Sequence, residues 1–332
     1  MDNLKKIGLS ALAGSLVAFS AHAGELSVSG SAKFTYTADN GNEDNELDGD
    51  RFGLGQAVTF SGSGEMDNGH TVSLTHVIST NGGDKSTSVL SYDMGELGTL
   101  RYQQDSGSLG IGVIDDITPT ADEEIWNGLD ADEHADGSED LNGRVGGGIT
   151  GFNYTYSMDM VTINAGYAPK DHGTSTADGA NGNGTLKSAM GVAVQVTPMD
   201  GLNIYAGLGE RGNANGFQSD DHETLGVTYA YGPVTVGYQY SEIDDGTTST
   251  TADEETDAYS IAFAVNDDLS ISYGERDTER EGQALEQEVK GFSIGYSMGS
   301  MTLKAHQNEV KNIAQTADRE SEHTEIALTF AF

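Results

Sequence analysis

The sequence contains no cysteine, few prolines and few basic residues, and it has no series of long apolar runs. Of its 332 residues none is Cys and only 4 are Pro, so a disulfide-stapled scaffold is excluded. A bundle of membrane-spanning helices is also excluded, because each span needs about 20 mostly apolar residues and the chain has a single short run of this kind. With 16 Lys and Arg against 53 Asp and Glu, the net charge of −37 repels phosphate, which argues against a nucleic-acid partner.

The aromatic content argues against a disordered acidic chain. Hydrophobic residues make up 36% of the sequence, below the range of about 45–50% that is typical of a soluble globular domain. High net charge with low hydrophobicity is a signature of disorder, yet the chain holds 14 Tyr and 10 Phe, which is many for a disordered protein. The spacing of the apolar residues therefore decides the structural class.

The first 23 residues have the pattern of an export signal. Lys5 and Lys6 precede a short apolar stretch, which ends in Ala-His-Ala at residues 21–23, the small-residue pattern that a signal peptidase reads. The stretch is too short for a membrane anchor, and the alternative is a buried N-terminal helix. We expect residues 1–23 to be a cleaved signal peptide and the mature chain, 24–332, to leave the cytoplasm.

From residue 25 onward, apolar side chains alternate with small or polar ones. Near the start, Phe34 and Tyr36 alternate with Lys33 and Thr35, and the same period of two recurs along the chain. In a strand alternate residues share one face, so each such segment has one apolar and one polar face. The pattern predicts sixteen strands, at 25–37, 51–63, 70–78, 88–93, 99–104, 144–156, 161–167, 186–196, 202–209, 223–231, 234–241, 258–265, 269–275, 289–297, 301–307 and 322–332.

The connections between these segments alternate between short turns and long polar loops. Seven turns and eight long loops join the sixteen segments, and the longest loop is 105–143. All four prolines fall in the predicted loops or turns, as the hydrogen bonding of a strand ladder requires. A soluble sandwich would carry charge on its polar face, whereas here that face is mostly Ser, Thr, Gly and Gln.

This arrangement is typical of an up-and-down membrane barrel, with lipid outside and a polar lumen inside. Closure also removes the sheet edges, whose unpaired backbone groups lipid cannot satisfy. We therefore predict an all-β fold, a transmembrane up-and-down antiparallel β-barrel of sixteen strands with short periplasmic turns and long extracellular loops. A secreted β-solenoid or sandwich is the alternative.

Two pieces of the sequence and the place of the longest loop carry a resemblance to a known family. The stretch GELGTLRYQQD at 95–105 leads into the longest loop, and the C-terminal Phe332 follows Phe330, Leu328 and Ile326 at a spacing of two. In these pieces and in its architecture the chain resembles the Gram-negative general porins, the trimeric sixteen-stranded outer-membrane channels. The resemblance implies a homotrimer in outer-membrane lipid and lipopolysaccharide.

The same resemblance assigns roles to two parts of the chain. It implies that the barrel domain, 24–332, contains an inward-folded constriction loop at 105–143. It further implies that Phe332 closes a terminal strand that the barrel-assembly machinery reads during biogenesis.

The longest loop is strongly acidic, which bears on selectivity. It holds twelve Asp and Glu, with no Lys or Arg before Arg144. Because charge facing a narrow pore selects ions, an inward-folded loop of this composition favours cations. The alternative for each acid is that it faces solvent. The candidate constriction acids are Asp115, Asp116, Asp122, Glu123 and Glu124.

Basic residues are expected on the facing wall. Lys33, Arg51 and Arg101 stand at lumen-facing parity in the first, second and fifth strands. By resemblance Arg51 and Arg101 match the basic wall of the family, with Arg144 a weaker candidate, and the pairing across the pore is likewise what the resemblance implies. Each of these residues could instead be simply solvated.

No motif indicates an enzyme or a resident cofactor. The acidic stretches 44–50 and 130–137 resemble calcium loops but lack Glu at the twelfth position, so a loop-bound Ca²⁺ stays open without an assigned ligand set. A GxGxxG match at 207–212 is followed by loop sequence rather than a helix, and is a false positive. We therefore expect no cofactor and no catalytic residues.

The sequence thus predicts a passive, water-filled outer-membrane porin for small hydrophilic solutes and ions, with a bias toward cations. A channel with a solute-selective site is the first alternative. An outer-membrane barrel enzyme, or a structural or adhesive surface protein, are the others.

Overall fold

The computed structural model describes residues 26–41, 49–79, 85–104, 109–129, 150–169, 188–212, 219–244, 246 and 253–332. The predicted signal peptide lies outside these residues. The sixteen strands are β1 Ser27–Gly41, β2 Gly49–Glu65, β3 Thr71–Ser79, β4 Lys85–Asp93, β5 Thr99–Gln104, β6 Gly151–Met158, β7 Val161–Ala168, β8 Ala189–Met199, β9 Leu202–Arg211, β10 Asp220–Tyr231, β11 Val234–Asp244, β12 Glu254–Ala264, β13 Leu269–Arg280, β14 Gln287–Met298, β15 Met301–Lys311 and β16 Glu320–Ala331.

Each strand pairs with its sequence neighbours, and β1 pairs with β16, so that the sheet closes on itself. Every pairing is antiparallel, including the closing one, in which Lys33 lies opposite Thr329. The predicted closed sixteen-stranded antiparallel barrel is therefore confirmed. Within the described part of the chain, no helix has both the length and the apolarity to cross a membrane.

The C-terminal residue completes the closure. Gly30 N donates to Phe332 O at 2.7 Å and Phe332 N donates to Gly30 O at 3.0 Å. A Cβ on Gly30 would lie 2.6 Å from Phe332 Cε2, so the terminal ring packs where residue 30 has no side chain. The ring is itself largely exposed on the outside of the barrel.

The two faces of the wall have opposite chemistry. Outward side chains are large and apolar, such as Leu54 and Leu225, and they are well exposed. Inward side chains are small or polar, such as Thr224 and Gln239, and they are buried. Apolar side chains outside and polar ones inside are expected for a barrel wall that has lipid outside and a polar lumen inside.

Several strand boundaries differ from the sequence prediction. Strand β13 continues to Arg280, although residues 276–288 are predicted to be loop. Its backbone keeps pairing with β14 there, but the sequence no longer alternates apolar and polar residues, so the pattern could not show it. Pro198 lies in β8 rather than in a turn, where the register shifts between Val196 and Met199. At such an irregularity the strand ladder does not need the backbone N–H that proline lacks.

Replacement of Leu225 by arginine tests the assignment of the outer face. Leu225 lies near the middle of β10 and points outward, so Leu225→Arg should cost about 2–4 kcal/mol of folding free energy in a bilayer. The measurement is a urea titration of folding in lipid vesicles. Thr59→Arg, on the lumen side of β2, is the matched control and should change stability far less. Equal losses in both variants would contradict the assignment.

Candidate functional site

Residues 109–129 pack along the lumen side of the wall. The segment begins at β6, where Gly110 N donates to Asn153 Oδ1 at 2.9 Å. It continues past β12, where Ser260 Oγ donates to Pro119 O at 2.7 Å. It then reaches β15, where Asn308 Nδ2 donates to Asn127 O at 2.8 Å. This part of the longest loop therefore follows the inner wall for more than half of its circumference.

Glycines on the wall make room for this segment. A Cβ on Gly191 would lie 3.0 Å from Ile111 N, and one on Gly237 would lie 2.4 Å from Pro119 Cδ. A side chain at either position would displace the segment. Wall glycines that the segment approaches in the same way include Gly151, Gly166, Gly191, Gly207, Gly226, Gly237, Gly274, Gly291 and Gly295. Gly207 belongs to the GxGxxG match, and it lies in strand β9 beneath Ile111 rather than in a loop that opens a helix.

Gln239 on β11 fastens the middle of the segment. Its Oε1 accepts a hydrogen bond from Ile117 N at 2.9 Å, and its Nε2 donates to the carbonyl oxygens of Ile114 and Asp115, each at 3.0 Å. Gln239 is almost fully buried. Three backbone groups of the segment thus depend on one wall side chain, because buried polar groups need partners.

Asp115 and Asp116 directly follow the short 3-10 turn Gly110–Ile114 of the segment. Asp115 Oδ1 accepts from Asp116 N at 2.9 Å, and Asp116 Oδ1 accepts from Thr118 N and Oγ1, both at 2.8 Å. Burial raises the pKa of Asp115 to about 6, and the nearby charges of Asp116 and Glu124 add to this rise. Burial also raises the pKa of Asp116 to about 6, against the hydrogen bonds from Thr118.

Asp122 and Glu123 meet basic side chains of the wall instead. Asp122 is 3.1 Å from Lys304 Nζ and 2.8 Å from His306 Nδ1, both on β15. Burial opposes ionisation of Asp122, but the hydrogen bonds from His306 and Lys304 outweigh it and lower its pKa. Glu123 lies 3.8 Å from Lys33 Nζ. These two candidate acids therefore have basic partners that offset their charge.

The predicted basic wall residues occupy different surroundings. Lys33 also pairs with Glu325 of β16 at 2.7 Å, and Arg51 pairs with Asp39 of β1. Arg101 is exposed on β5. Arg144 lies outside the described residues.

Sequence reasoning missed Trp126 and Arg276. Trp126 is buried with Ile125 and Leu129 in an apolar cluster, and the Cζ of Arg276 lies 5.1 Å from the centroid of its ring. The signal for Trp126 was present, since it is the single Trp of the chain in an otherwise acidic loop. Arg276 was hidden because its part of β13 was predicted to be loop.

Metal binding has no candidate in the part of the chain that is described. No group of three or more His, Cys, Asp or Glu there is placed to hold an ion. Of the stretches 44–50 and 130–137, to which the calcium hypothesis applied, residues 44–48 and all of 130–137 lie outside the described residues.

Replacement of Gln239 by leucine tests how the segment is held. Gln239→Leu leaves one N–H and two carbonyl groups of the segment without their partner, at about 1–3 kcal/mol for an unsatisfied buried group, and should loosen the segment. The emission of Trp126, the single tryptophan, should shift to the red. Gln195→Leu is the matched control, since Gln195 bonds to Asn203 on the next strand. Emission unchanged from the wild type would contradict the role of Gln239.

Comparisons with known proteins agree with this architecture. A family model described as Gram-negative porin matches residues 8–331. Among solved structures, three substituted variants of the Rhodopseudomonas blastica porin each have a TM-score of 0.64, with 13%, 14% and 15% identity, and each alignment covers 93% of this chain and 100% of the other. At this identity the likeness shows the fold. No curated protein matches the chain. From the family match over nearly the whole sequence and from the closed sixteen-stranded barrel, the chain belongs to the Gram-negative porins, a family of outer-membrane diffusion channels.

Proposed function

We propose that the chain is a passive, water-filled channel for small hydrophilic solutes and ions that prefers cations. The observation that carries this proposal is the group formed by Asp115, Asp116 and Glu124, whose charges act on one another. They belong to a segment that is fastened along the lumen wall, so a permeating ion passes their field. Rings or groups of charge at such a position set the ion preference of a channel.

The five candidate acids divide into two groups with different roles. Asp122 and Glu123 face Lys304 and Lys33, so they hold the segment and add little net field. Asp115, Asp116 and Glu124 form the group that faces the permeating ion. Arg276 offsets part of the charge of Asp116.

The basic candidates divide in the same way. Lys33 and Arg51 are engaged with Glu325 and Asp39 on neighbouring strands, where they stabilise the wall. Arg101, which is exposed on β5, is the basic residue that we assign to the pore surface. Among the described residues, the acidic group faces Arg101 while Lys33 and Arg51 are engaged with carboxylates of the wall, and this balance supports the cation preference.

We propose the remaining assignments on the family's general properties. Residues 1–23 direct export and are removed, and residues 105–143 form the constriction loop of the 24–332 barrel. The barrel is a homotrimer in the outer membrane, in contact with lipid and lipopolysaccharide. Phe332 is the terminal residue that the barrel-assembly machinery recognises.

Neutralisation of the three acids tests the origin of the preference. In the variant Asp115→Asn, Asp116→Asn, Glu124→Gln, the reversal potential in a KCl gradient should move toward zero, because the negative field on the permeating ion is removed. Asp257→Asn is the control, since Asp257 bonds to Tyr238 on the outer face and should leave the potential unchanged. A wild-type channel that prefers anions would falsify the charge argument, and the absence of any conductance would refute the channel itself.

The preference should also depend on pH. Asp115 and Asp116 both have pKa values raised to about 6, so each is charged above that pH and neutral below it. The cation preference of the wild type should therefore be full at high pH and decline as the pH falls through about 6. Reversal potentials measured across this range provide the test. A preference that is flat until well below pH 6, near the ordinary pKa of aspartate, would show that these two residues do not set it.

A further inference from the structure

One tyrosine of the barrel wall points into the lumen. Among the Tyr and Phe residues of the described strands, all except Tyr205 occupy outward positions of the alternation. Tyr205 on β9 lies opposite Gly226 of β10, and it has the same parity as Gly207, where a Cβ would lie 2.7 Å from a side-chain carbon of Ile111 in the loop segment. Because opposite residues of an antiparallel pair share a face, the Tyr205 ring stands on the lumen side.

This ring lies between the loop segment and the short turns. Strand β9 begins at Leu202, directly after a turn, and Tyr205 follows three residues later. A Cβ on Gly226, opposite the ring, would lie 2.1 Å from Ile117 Cδ1, so the segment passes close to this level of the wall. Tyr205 is partly exposed. A solute that has passed the segment therefore meets this ring next.

Amide and hydroxyl side chains flank the ring. Gln195 of β8 lies opposite Tyr205, and its Nε2 donates to Asn203 Oδ1 at 3.2 Å. Asn203 Nδ2 donates in turn to Thr228 Oγ1 at 3.2 Å, and Asn203 Oδ1 also accepts from Thr197 Oγ1 at 2.9 Å. These hydrogen bonds hold a row of polar side chains across β8, β9 and β10.

The row keeps hydrogen-bonding capacity for a solute. A side-chain amide has two N–H donors and an oxygen with two lone pairs, and the bonds along the wall use one N–H of Gln195 and one of Asn203. Both side chains are partly exposed. The second N–H of each amide can therefore donate to a solute in the lumen, and the Gln195 oxygen can accept from one.

This side of the described wall is uncharged. Strands β6, β7 and β8 contain no Asp, Glu, Lys or Arg, and the charged residues of β9 and β10 stand at their loop ends. The lumen face of β6 and β7 adds further amides and hydroxyls, since Asn164 Oδ1 accepts from Asn153 Nδ2 at 3.3 Å and from Thr155 Oγ1 at 2.7 Å. A neutral polar solute can exchange its bonds to water for bonds to this wall, whereas an ion finds no counter-charge on β6, β7 or β8.

An aromatic ring beside uncharged amides matches the chemistry of a sugar. One face of a sugar ring carries mainly C–H groups, which leave water when that face rests on an aromatic ring. The hydroxyl groups at the edge of the sugar both donate and accept, as the amides do. Neighbouring strands lie about 4.8 Å apart, so the row from β8 to β10 has the width that a single sugar ring needs.

We propose that Tyr205, Gln195 and Asn203 form a binding subsite for neutral sugars, in which the sugar ring stacks on Tyr205 and its hydroxyl groups bond to the two amides. Thr228 positions Asn203 for this contact. The subsite is open to the lumen, so a bound sugar leaves again and continues its passage. The proposal rests on the diffusion channel proposed above, and it names a class of solute that this channel carries.

The ion current through the wild-type channel in a planar bilayer measures the binding. A bound sugar obstructs the lumen, so maltose, cellobiose or sucrose should lower the current with a dependence on sugar concentration that saturates. Polyethylene glycol of similar size is the solute control, because it is neutral but has no ring to stack. It should lower the current only in proportion to its concentration.

Substitutions at Tyr205 separate stacking from hydrogen bonding. Tyr205→Ala removes the ring, and the sugar concentration that gives half of the effect should rise about tenfold. Tyr205→Phe keeps the ring and should stay close to the wild type, while Gln195→Leu should raise this concentration by a smaller factor than Tyr205→Ala. Tyr167→Ala is the matched control, since Tyr167 is exposed on the outer face of β7, and it should respond to sugar as the wild type does.

Two results would overturn the subsite. One is a wild-type current that responds to the three sugars as it does to polyethylene glycol, a measurement that stands even where a variant fails to fold. The other is a Tyr205→Ala channel with the same half-effect concentration as the wild type. Failure of the proposed function has a different signature, since an absent conductance or an anion preference appears in KCl alone, before any sugar is added.

Discussion

The backbone hydrogen bonds of the wall must all be satisfied within the protein, because hydrocarbon offers them no partner. A sheet meets this requirement only by closing, and here closure is made by pairing of β1 with β16 and by the exchange of hydrogen bonds between Gly30 and Phe332. Once closed, every strand has one face toward lipid and one toward the lumen. The alternation of apolar and polar residues follows from this single constraint.

A closed barrel of this size has a hollow centre, so its interior packing has to come from a loop. The apolar residues Leu109, Ile111, Ile125 and Trp126 pack against lumen-facing glycines and small side chains, where an ordinary domain would pack one sheet against another. The abundance of glycine, 45 residues, is thereby partly explained, because backbone can approach backbone only where no Cβ intervenes. The same packing holds Asp115 and Asp116 on the lumen side of the wall.

The charged side chains of the lumen fall into two groups with different neighbours. Carboxylates that contact Lys or Arg, such as Asp122, Glu123 and Asp39, fasten the loop and the wall. Asp115, Asp116 and Glu124 act mainly on one another, and they supply the field that we propose for selectivity. The two histidines join the fastening group, since His306 contacts Asp122 and His323 contacts Asp39.

The number of strands, their alternation and the closed barrel could be read from the sequence, because the period of two is a local property of each strand. The acidity of the longest loop and the lumen parity of Lys33, Arg51 and Arg101 could be read in the same way. The neighbours of the loop could not, since the contacts of Gln239, Trp126 and Arg276 join residues more than a hundred positions apart. The end of β13 was also missed, because its backbone pairing continues to Arg280 where apolar and polar residues no longer alternate. The local alternation of apolar and polar residues therefore determined the strands of the barrel wall. Only the tertiary structure decided which charged side chains meet inside it, because distances across a hollow barrel depend on how the sheet closes and not on sequence spacing.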